Sequence, residues 1–549
     1  MLARNWSPIT FTALWILLMA VAIITRPALP VDETRYLAVA WEMWLRGDFL
    51  VPHLNGETYS HKPPLLFWMM QVGWVIFGVN EWWPPLVAPL FGLISLFFTR
   101  QIAKKLWPEL PLIADLSPVV LLGAAFWTFF TTLTMFDMLV TACTLGGLLG
   151  LLTVWREGGS KGWWMLGVAI GVGILAKGPV ILLQVLPIAL LVPFWDVDKH
   201  IKTREGGWKS WYIGLLLAVL GGVVIGLCWA VPAGIYGGEE YRNAIFWGQT
   251  AGRMVKSFAH ALPWWWYLAF IGPLLLPWVL WPTLWRSARH NGLSLLREPA
   301  MRFCILWFLP IFFAFSLISG KQFHYLLPIF PAFAFMLTRL IVSQQVEEGR
   351  WARALPAGLF IIFSTAVLIA PYLGIEKLPE WAEHLPIYWM LIPVIISVMV
   401  MFKPLKGAIA PVLGLMGMMV SLVLAIHFLM TPYLSSEFDL RPLAHQIKKW
   451  QDQGYDVGFV GKYHGTFQFL GRLEAPIQEL ASNSSKMSIA SWVEGHPRSK
   501  VITLWKQTAP DHKAVSYVQN FRNNSFIVFD VKALNGELNL LERRGKLKK

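Results

Sequence analysis

The first 430 residues of the chain consist mostly of apolar runs separated by short polar loops. Each run is long enough to cross a lipid bilayer as an α-helix, which needs about 20 apolar residues. We count about thirteen of them, at residues 9–29, 84–99, 112–132, 138–155, 162–176, 179–195, 211–233, 264–285, 303–319, 325–342, 354–372, 386–402 and 407–430. The pattern predicts a polytopic membrane protein that is mainly α-helical.

Basic residues fall mostly in alternate loops between these runs. They are Arg100, Lys104, Lys105, Arg156, Lys161, Lys199, Lys202, Arg204, Lys209, Arg286, Arg289, Arg297, Arg302, Arg350, Arg353, Lys403 and Lys406. Because Lys and Arg are enriched in cytoplasmic loops, these loops are predicted to face the cytoplasm. The N-terminus is then cytoplasmic, and an odd number of spans places the C-terminal part of the chain in the periplasm.

Residues 31–80 form the first loop predicted on the periplasmic side, and two segments in it have a helical apolar pattern. Residues 33–46 carry apolar positions on one face and end at Gly47-Asp48. Residues 62–78 are apolar enough to count as another span, but that span would invert the side of every later basic loop. We therefore predict that both segments are interfacial helices lying along the membrane surface.

After residue 434 the chain becomes more polar and the spacing of its apolar residues changes. Residues 438–453 have the pattern of an amphipathic helix, and residues 457–460, 501–505 and 525–531 have the pattern of short strands. We predict a transmembrane domain over residues 1–434 and a small mixed α/β periplasmic domain over residues 435–549.

The composition agrees with a membrane protein. Of the 549 residues, 56% are hydrophobic and 14% are charged, which is more apolar surface than a soluble domain can bury. The net charge of +14 comes largely from short loops, so it reflects topology rather than nucleic-acid binding. The three cysteines lie far apart inside apolar runs, which excludes a disulfide framework or a cysteine metal motif.

Ionisable residues near the membrane boundary are costly to bury and commonly mark chemistry or transport. The predicted topology places one such set on the periplasmic side: Asp32, Glu33, Arg35, His61, Lys62, Asp137, Lys177, Arg253, His260, Lys321 and Tyr325. Structural alternatives exist for these residues. An acid such as Asp32 or Asp137 can cap a helix, Lys62 can anchor the chain at the membrane surface, and Lys177 can interrupt a helical hairpin.

This mixture of carboxylates and cations suits the transfer of a sugar from a lipid-linked phosphate. Lys or Arg stabilises the anionic phosphate that leaves, and a carboxylate orients or deprotonates the group that attacks. A transporter is the less favoured alternative. Transporters hold their charges near the bilayer midplane, often in paired repeats, and no repeat is evident in this sequence.

Several motifs resemble those of the GT-C fold glycosyltransferases, in the branch that includes the aminoarabinose transferases of lipid A and the protein O-mannosyltransferases. The motifs are Asp32–Tyr36, Gly47–Leu54, Lys62–Pro64, Lys177–Pro179, the spacing of Arg253, His260 and Pro263-Trp264, and the block from Ser319 to Pro328. About thirteen spans followed by an outer C-terminal domain is also that family's plan. The resemblance therefore covers essentially the whole chain.

The resemblance implies that Asp32 and Asp137 are catalytic carboxylates and that Lys62 contacts undecaprenyl phosphate. From the cluster of polar residues on the same side we add Glu33 as a third catalytic candidate. The other residues predicted to bind the donor phosphate are Arg35, Arg253, Lys177, Lys321 and Tyr325.

A metal site is also implied by the resemblance. The family holds a divalent metal between the residue before the motif lysine and a loop histidine, which are His61 and His260 in this sequence. Histidine can ligate zinc. Since the family usually has glutamate where His61 stands, this pair would carry less negative charge than the family's.

The implied function is transfer of a sugar, with 4-amino-4-deoxy-L-arabinose favoured, from undecaprenyl phosphate to lipid A or another envelope glycan. The alternative acceptor is a protein hydroxyl, as in the O-mannosyltransferases. We expect a multi-pass protein of the bacterial inner membrane that acts as a monomer among membrane lipids, with no nucleic-acid partner. The expected cofactor is a divalent metal such as zinc, with no organic cofactor.

Overall fold

A computed structural model describes residues 6–248, 262–343, 350–373, 382, 385–403, 405–480, 488–506, 510–534 and 536–542. Packing divides the chain into two compact units. The first contains Met1–Ile24, Ser60–Met69 and Val79–Leu429. The second contains Thr25–Tyr59, Met70–Gly78 and Met430–Lys549.

The described residues are largely helical. In chain order the α-helices are α1 (Trp6–Thr25), α2 (Asp32–Arg46), α3 (Leu65–Phe77), α4 (Pro84–Leu106), α5 (Pro111–Leu122), α6 (Ala125–Phe130), α7 (Phe136–Glu157), α8 (Lys161–Lys177), α9 (Val180–Leu190), α10 (Val192–Trp195), α11 (Gly207–Tyr236), α12 (Gly238–Asn243), α13 (Trp266–Leu274), α14 (Pro282–Leu295), α15 (Pro299–Leu317), α16 (Phe330–Val342), α17 (Ala354–Ile369), α18 (Leu391–Phe402), α19 (Ile409–Glu437), α20 (Arg441–Asp452), α21 (Ile489–Gly495), α22 (Val531–Leu534) and α23 (Asn539–Glu542). A π-helical turn covers Ala244–Gly248, and 3₁₀ turns cover Trp278–Leu280, Phe323–Ile329, Arg350–Arg353, Ala370–Tyr372 and Ile387–Met390.

Each of the thirteen apolar runs contains helix, but several runs are broken. Within the described ranges, eight helical segments are long and apolar enough to cross a membrane. The run at 264–285 is divided into α13, a 3₁₀ turn and α14, with Pro277 and Pro282 at the breaks. Proline ends helices because it lacks an N–H donor and clashes with the preceding turn. The number of spans therefore stays a prediction, while the helical, polytopic character is clear.

Helix α3 covers 13 residues, about 20 Å at 1.5 Å per residue. That length is well short of the roughly 30 Å hydrocarbon core of a bilayer. The segment predicted to lie at the interface is therefore too short, as a helix, to be counted as one more ordinary span.

Helices α7 and α8 form an antiparallel hairpin in the first unit. Their backbones lie close together where Gly150 faces Gly162, because a Cβ added to Gly150 would lie 2.6 Å from the carbonyl oxygen of Gly162. Small residues let helix backbones come together in this way in membranes. The hairpin brings the first turn of α7 and the last residue of α8 to the same end.

In the second unit, part of the first loop packs on C-terminal residues. The hairpin of β1 (His53–Leu54) and β2 (Glu57–Thr58) turns at Asn55-Gly56, both with positive φ, as a two-residue hairpin turn requires. The side chain of Asn55 donates to the carbonyl oxygen of Ile477 and accepts from its N–H, at 2.8 Å each. This pairing fixes the loop to the C-terminal part of the same unit.

The C-terminal residues form a five-stranded sheet in the order β4-β3-β5-β7-β6. The strands are β3 (Asp456–Val460), β4 (Gln478–Leu480), β5 (Ser499–Trp505), β6 (Val515–Phe521) and β7 (Asn524–Asp530). β3 runs parallel to β4 and β5, whereas β7 runs antiparallel to β5 and β6. Helix α20 and strands β3, β5 and β7 coincide with predicted elements. Strands β4 and β6 were not predicted.

Candidate active site

A buried ion pair joins the ends of α7 and α8. Asp137 lies in the first turn of α7 and is 5% exposed. The Lys177 ammonium, at the last residue of α8, donates to its carboxylate Oδ1 at 2.6 Å. Sequence separation is 40 residues, so the pair depends on the hairpin that places both ends together.

The 3₁₀ turn Phe323–Ile329 adds two more side chains to this pair. His324 Nε2 lies 3.8 Å from Asp137 Oδ2, on the carboxylate oxygen that Lys177 does not bind. The Lys177 ammonium lies 4.5 Å from the centroid of the Tyr325 ring, a cation–π distance. His324 and Tyr325 also contact each other edge to face. Lys177 is therefore held by a carboxylate and by an aromatic face.

Lys62 completes the cluster from the segment before α3. Its ammonium lies 5.3 Å from the ring centroid of Phe136, the residue before Asp137, and interacts electrostatically with the Asp137 carboxylate. The prolines at 63 and 64 restrict the backbone beside it. We call Lys62, Asp137, Lys177, His324 and Tyr325 the Asp137 cluster. It holds two ammonium groups and one carboxylate, so it keeps a positive excess that can attract an anion.

The second unit contains two adjacent acidic residues, Asp32 and Glu33, at the start of α2. Glu33 is buried and accepts two hydrogen bonds from Arg26, at 2.5 and 3.0 Å, and one from the Leu29 N–H at 2.9 Å. Asp32 is 60% exposed in its side chain and pairs with Arg35 one turn along the helix. Glu33 thus fixes the turn between α1 and α2, while Asp32 presents its carboxylate to the surroundings.

His464 lies near this pair within the same unit. Burial lowers the pKa of its imidazole, and the positive charges of Arg35 and Lys462 lower it further. The carboxylates of Glu479 and Asp32 act in the opposite direction but do not cancel this effect. The ring is therefore neutral at neutral pH, and Arg35 remains the nearby permanent cation.

Known proteins resemble the chain in sequence. A protein-family profile described as dolichyl-phosphate-mannose-protein mannosyltransferase matches residues 61–229, which include Lys62, Asp137 and Lys177. The undecaprenyl phosphate-alpha-4-amino-4-deoxy-L-arabinose arabinosyl transferase 1 of Pseudomonas fluorescens Pf0-1 is 28% identical over 411 residues, 71% of this chain and 68% of that protein. The corresponding transferase of Pseudomonas aeruginosa PAO1 is 28% identical over 365 residues, 64% of this chain and 63% of that one.

Solved structures match almost the whole fold. ArnT from Cupriavidus metallidurans in the apo state superposes with a TM-score of 0.75 at 19% identity, covering 97% of this chain and 99% of ArnT. The chain therefore has the GT-C fold of ArnT, and the enzymes that it resembles in sequence are glycosyltransferases. The ArnT structure bound to undecaprenyl phosphate gives a TM-score of 0.70, again at 19% identity, and covers 96% and 98% of the two chains.

Two residues of the glycosyltransferase are placed differently from what the sequence suggested. Lys321 was predicted to bind phosphate, but it is 2% exposed and its ammonium donates to the carbonyl oxygens of Leu262 and Ile318, at 2.9 and 2.6 Å. It therefore satisfies backbone acceptors just after α15. Glu33 was predicted to be catalytic, and its carboxylate accepts hydrogen bonds from Arg26 and from the Leu29 N–H, so its catalytic role stays a prediction.

His324 is the residue of the Asp137 cluster that sequence reasoning missed. A signal was present, since His324 stands directly before Tyr325 in a block already chosen for its resemblance. The sequence could not show that His324 lies beside Asp137, because the two residues are far apart along the chain.

The metal site stays a prediction. His61 is exposed at the start of its motif, while His260 and Arg253 lie outside the described residues. Among the residues that are described, no group of three or more His, Cys, Asp or Glu side chains is arranged to hold a metal ion.

Proposed function

We propose that this glycosyltransferase moves 4-amino-4-deoxy-L-arabinose from undecaprenyl phosphate to lipid A or a related envelope glycan. The observation that carries the proposal is the Asp137 cluster, which gathers two lysines around one carboxylate. The Pseudomonas relatives, which are undecaprenyl phosphate-alpha-4-amino-4-deoxy-L-arabinose arabinosyl transferases, support the donor and the sugar. The ArnT structure bound to undecaprenyl phosphate, which has the same fold, supports the lipid phosphate.

The charge of the cluster fits the charge change in such a reaction. In the donor, a phosphodiester carries one negative charge between sugar and lipid. When the bond from the sugar C1 to the phosphate oxygen breaks, its electron pair stays on that oxygen and the phosphate gains negative charge. Lys62 and Lys177 offer positive charge where this charge develops, and such stabilisation is worth most at a fixed, partly dehydrated position.

Lys177 and Lys62 are held in different ways. The Asp137 carboxylate and the Tyr325 ring restrict the Lys177 ammonium, so it offers a fixed positive charge. Lys62 lies on the Phe136 ring and interacts electrostatically with the Asp137 carboxylate. Because the family resemblance also places the motif lysine against undecaprenyl phosphate, we assign Lys62 the closest contact with the phosphate.

The acceptor hydroxyl must lose a proton as its oxygen bonds to C1. Asp32 is our candidate for the carboxylate that orients this hydroxyl and takes its proton, because it is the accessible acid of its segment. Glu33 is less suited to this role, since its two oxygens already accept hydrogen bonds from Arg26.

Mass spectrometry of lipid A tests the proposed acceptor. We expect a pentosamine-sized increase in lipid A from cells that express the chain, absent in cells that lack it and in cells that express the Lys62→Ala variant. Unchanged lipid A would overturn this acceptor. If protein glycans changed instead, the mannosyltransferase profile match would point to a protein hydroxyl as the second candidate.

We also propose the orientation in the inner membrane, with the N-terminus in the cytoplasm and the C-terminal sheet in the periplasm. The support is the run of alternate basic loops. A reporter fused after Lys105 is expected to be active only as a cytoplasmic fusion, and one fused after Ser435 only as a periplasmic fusion. Both fusions on the same side would mean that an additional span lies between them.

A further inference from the structure

The turn between β6 and β7 contacts the segment that leads into Asp32. The guanidinium of Arg522 donates a hydrogen bond to the carbonyl oxygen of Pro30, two residues before Asp32. Arg522 and Asp32 also interact electrostatically. These residues are about 490 positions apart in sequence yet belong to the same compact unit.

The turn itself is fixed on the end of α19. Arg522 and Asn523 both have positive φ, at 53° and 59°, and form a two-residue hairpin turn. The Arg522 N–H donates to the Glu437 carbonyl oxygen at 3.3 Å, and the Asn523 N–H donates to the Glu437 carboxylate at 2.8 Å. The guanidinium lies 5.1 and 5.3 Å from the ring centroids of Phe521 and Phe438.

Arg522 is therefore a charge in a fixed position. Its aromatic neighbours and the bonded turn limit its side-chain rotamers, so little conformational entropy is lost when it binds a carbonyl oxygen. Burial lowers the pKa of Arg522, but an arginine starts so high that it stays protonated at neutral pH.

The neighbourhood of Asp32 is also held from its own segment. Glu33 binds Arg26 and the Leu29 N–H, which fixes the turn before α2. Arg35 pairs with the Asp32 carboxylate from one helical turn further on. Arg522 comes from the C-terminal part of the sequence and binds the backbone just before Asp32, at the Pro30 carbonyl oxygen.

We propose that Arg522 is a positioning residue of this glycosyltransferase, through which the C-terminal domain holds Asp32 in place for the reaction. The hydrogen bond fixes the Pro30 carbonyl, and the guanidinium adds a second positive charge beside that of Arg35. The catalytic part of this proposal rests on the role proposed for Asp32, whereas the holding of the segment does not.

Hydrogen exchange in the full-length protein tests whether Arg522 holds the segment before Asp32 in place. Arg522→Met keeps an unbranched chain against the two phenyl rings but removes the charge and the donors. We expect the peptide covering residues 30–36 to exchange about tenfold faster, the size expected for loss of one charge-assisted hydrogen bond. The control is Arg498→Met in the same domain, where an exposed arginine stacks on Tyr455 and donates to the Gln453 carbonyl; exchange at 30–36 is expected to be unchanged.

Kinetics then test the catalytic consequence. We expect kcat of Arg522→Met to fall about tenfold or more with the KM for the lipid donor unchanged, and Arg522→Lys to recover part of it, because an ammonium keeps the charge and one donor. In an Asp32→Asn background, Arg522→Met is expected to cause no further loss, since the two act as one unit.

Two outcomes distinguish failure of the Arg522 proposal from failure of the role proposed for Asp32. Unchanged exchange at residues 30–36 in Arg522→Met overturns the proposal outright, and Arg522→Ala, which also removes the charge and the donors, serves for the same measurement where the methionine variant is not recovered. Faster exchange together with full activity of Asp32→Asn overturns the role of Asp32 in the proposed function instead.

Discussion

Replacing Lys62 with alanine is expected to lower kcat by about a hundredfold or more, the loss typical of removing one preorganised group that stabilises a developing negative charge. The ammonium lies on the Phe136 ring and interacts with Asp137. The nearby Lys177 is held by the Asp137 carboxylate and the Tyr325 ring, so we do not expect it to take over the position of Lys62. Turnover of the purified variant with a polyprenyl-phosphate-linked donor gives the measurement.

Two further variants serve as comparisons for Lys62→Ala. Lys62→Arg keeps the positive charge but spreads it over a planar group, so we expect partial activity. Lys161→Ala removes an exposed lysine at the other end of α8 and is expected to leave turnover unchanged. Full turnover by Lys62→Ala at saturating donor would remove Lys62 from the phosphate site.

The second large effect separates two adjacent acids. Asp32→Asn keeps the shape of the side chain and removes its charge, so we expect nearly complete loss of turnover with normal folding and donor binding. Glu33→Gln is expected to act on stability instead, because it weakens the two hydrogen bonds to the buried Arg26, at a cost of about 2 kcal/mol.

Thermal unfolding and turnover measured on the same preparations distinguish the two acids. Asp32→Asn with a normal midpoint and little turnover, beside Glu33→Gln with a lower midpoint and near-normal turnover of the folded fraction, is the expected result. The reverse assignment would mean that the accessible carboxylate is dispensable and that the catalytic base lies elsewhere, with Asp137 as the next candidate.

The sequence predicted the helical content well because the signal is local. Each apolar run contains helix, since a segment inside lipid has to satisfy its backbone hydrogen bonds within itself. The places where runs break follow proline at 277 and 282, a rule that acts on adjacent residues. Strands β4 and β6 were missed because β4 has only three residues and β6 alternates exposed and partly buried positions at the sheet edge.

Four of the five members of the Asp137 cluster, namely Asp137, Lys177, Lys62 and Tyr325, were chosen from the sequence, and the structure brings them together with His324. Their pairing was not predicted, because it joins residues that lie far apart along the chain. The different surroundings of Asp32 and Glu33 likewise depend on which carboxylate faces Arg26. The hydrogen bonds that Lys321 donates to two carbonyl oxygens could not be predicted either, because one of these oxygens belongs to Leu262, 59 residues away along the chain.

The close contact between Gly150 and Gly162 influences the ion pair between Asp137 and Lys177, although the two sites lie far apart along the helical hairpin. Gly150 lies 13 residues from Asp137, about 20 Å along α7. A methyl group added at either glycine would push the two backbones apart at this contact, and we expect the 2.6 Å distance between the Asp137 carboxylate and the Lys177 ammonium to lengthen as a result. The geometry of this ion pair thus depends in part on two positions that carry no side chain.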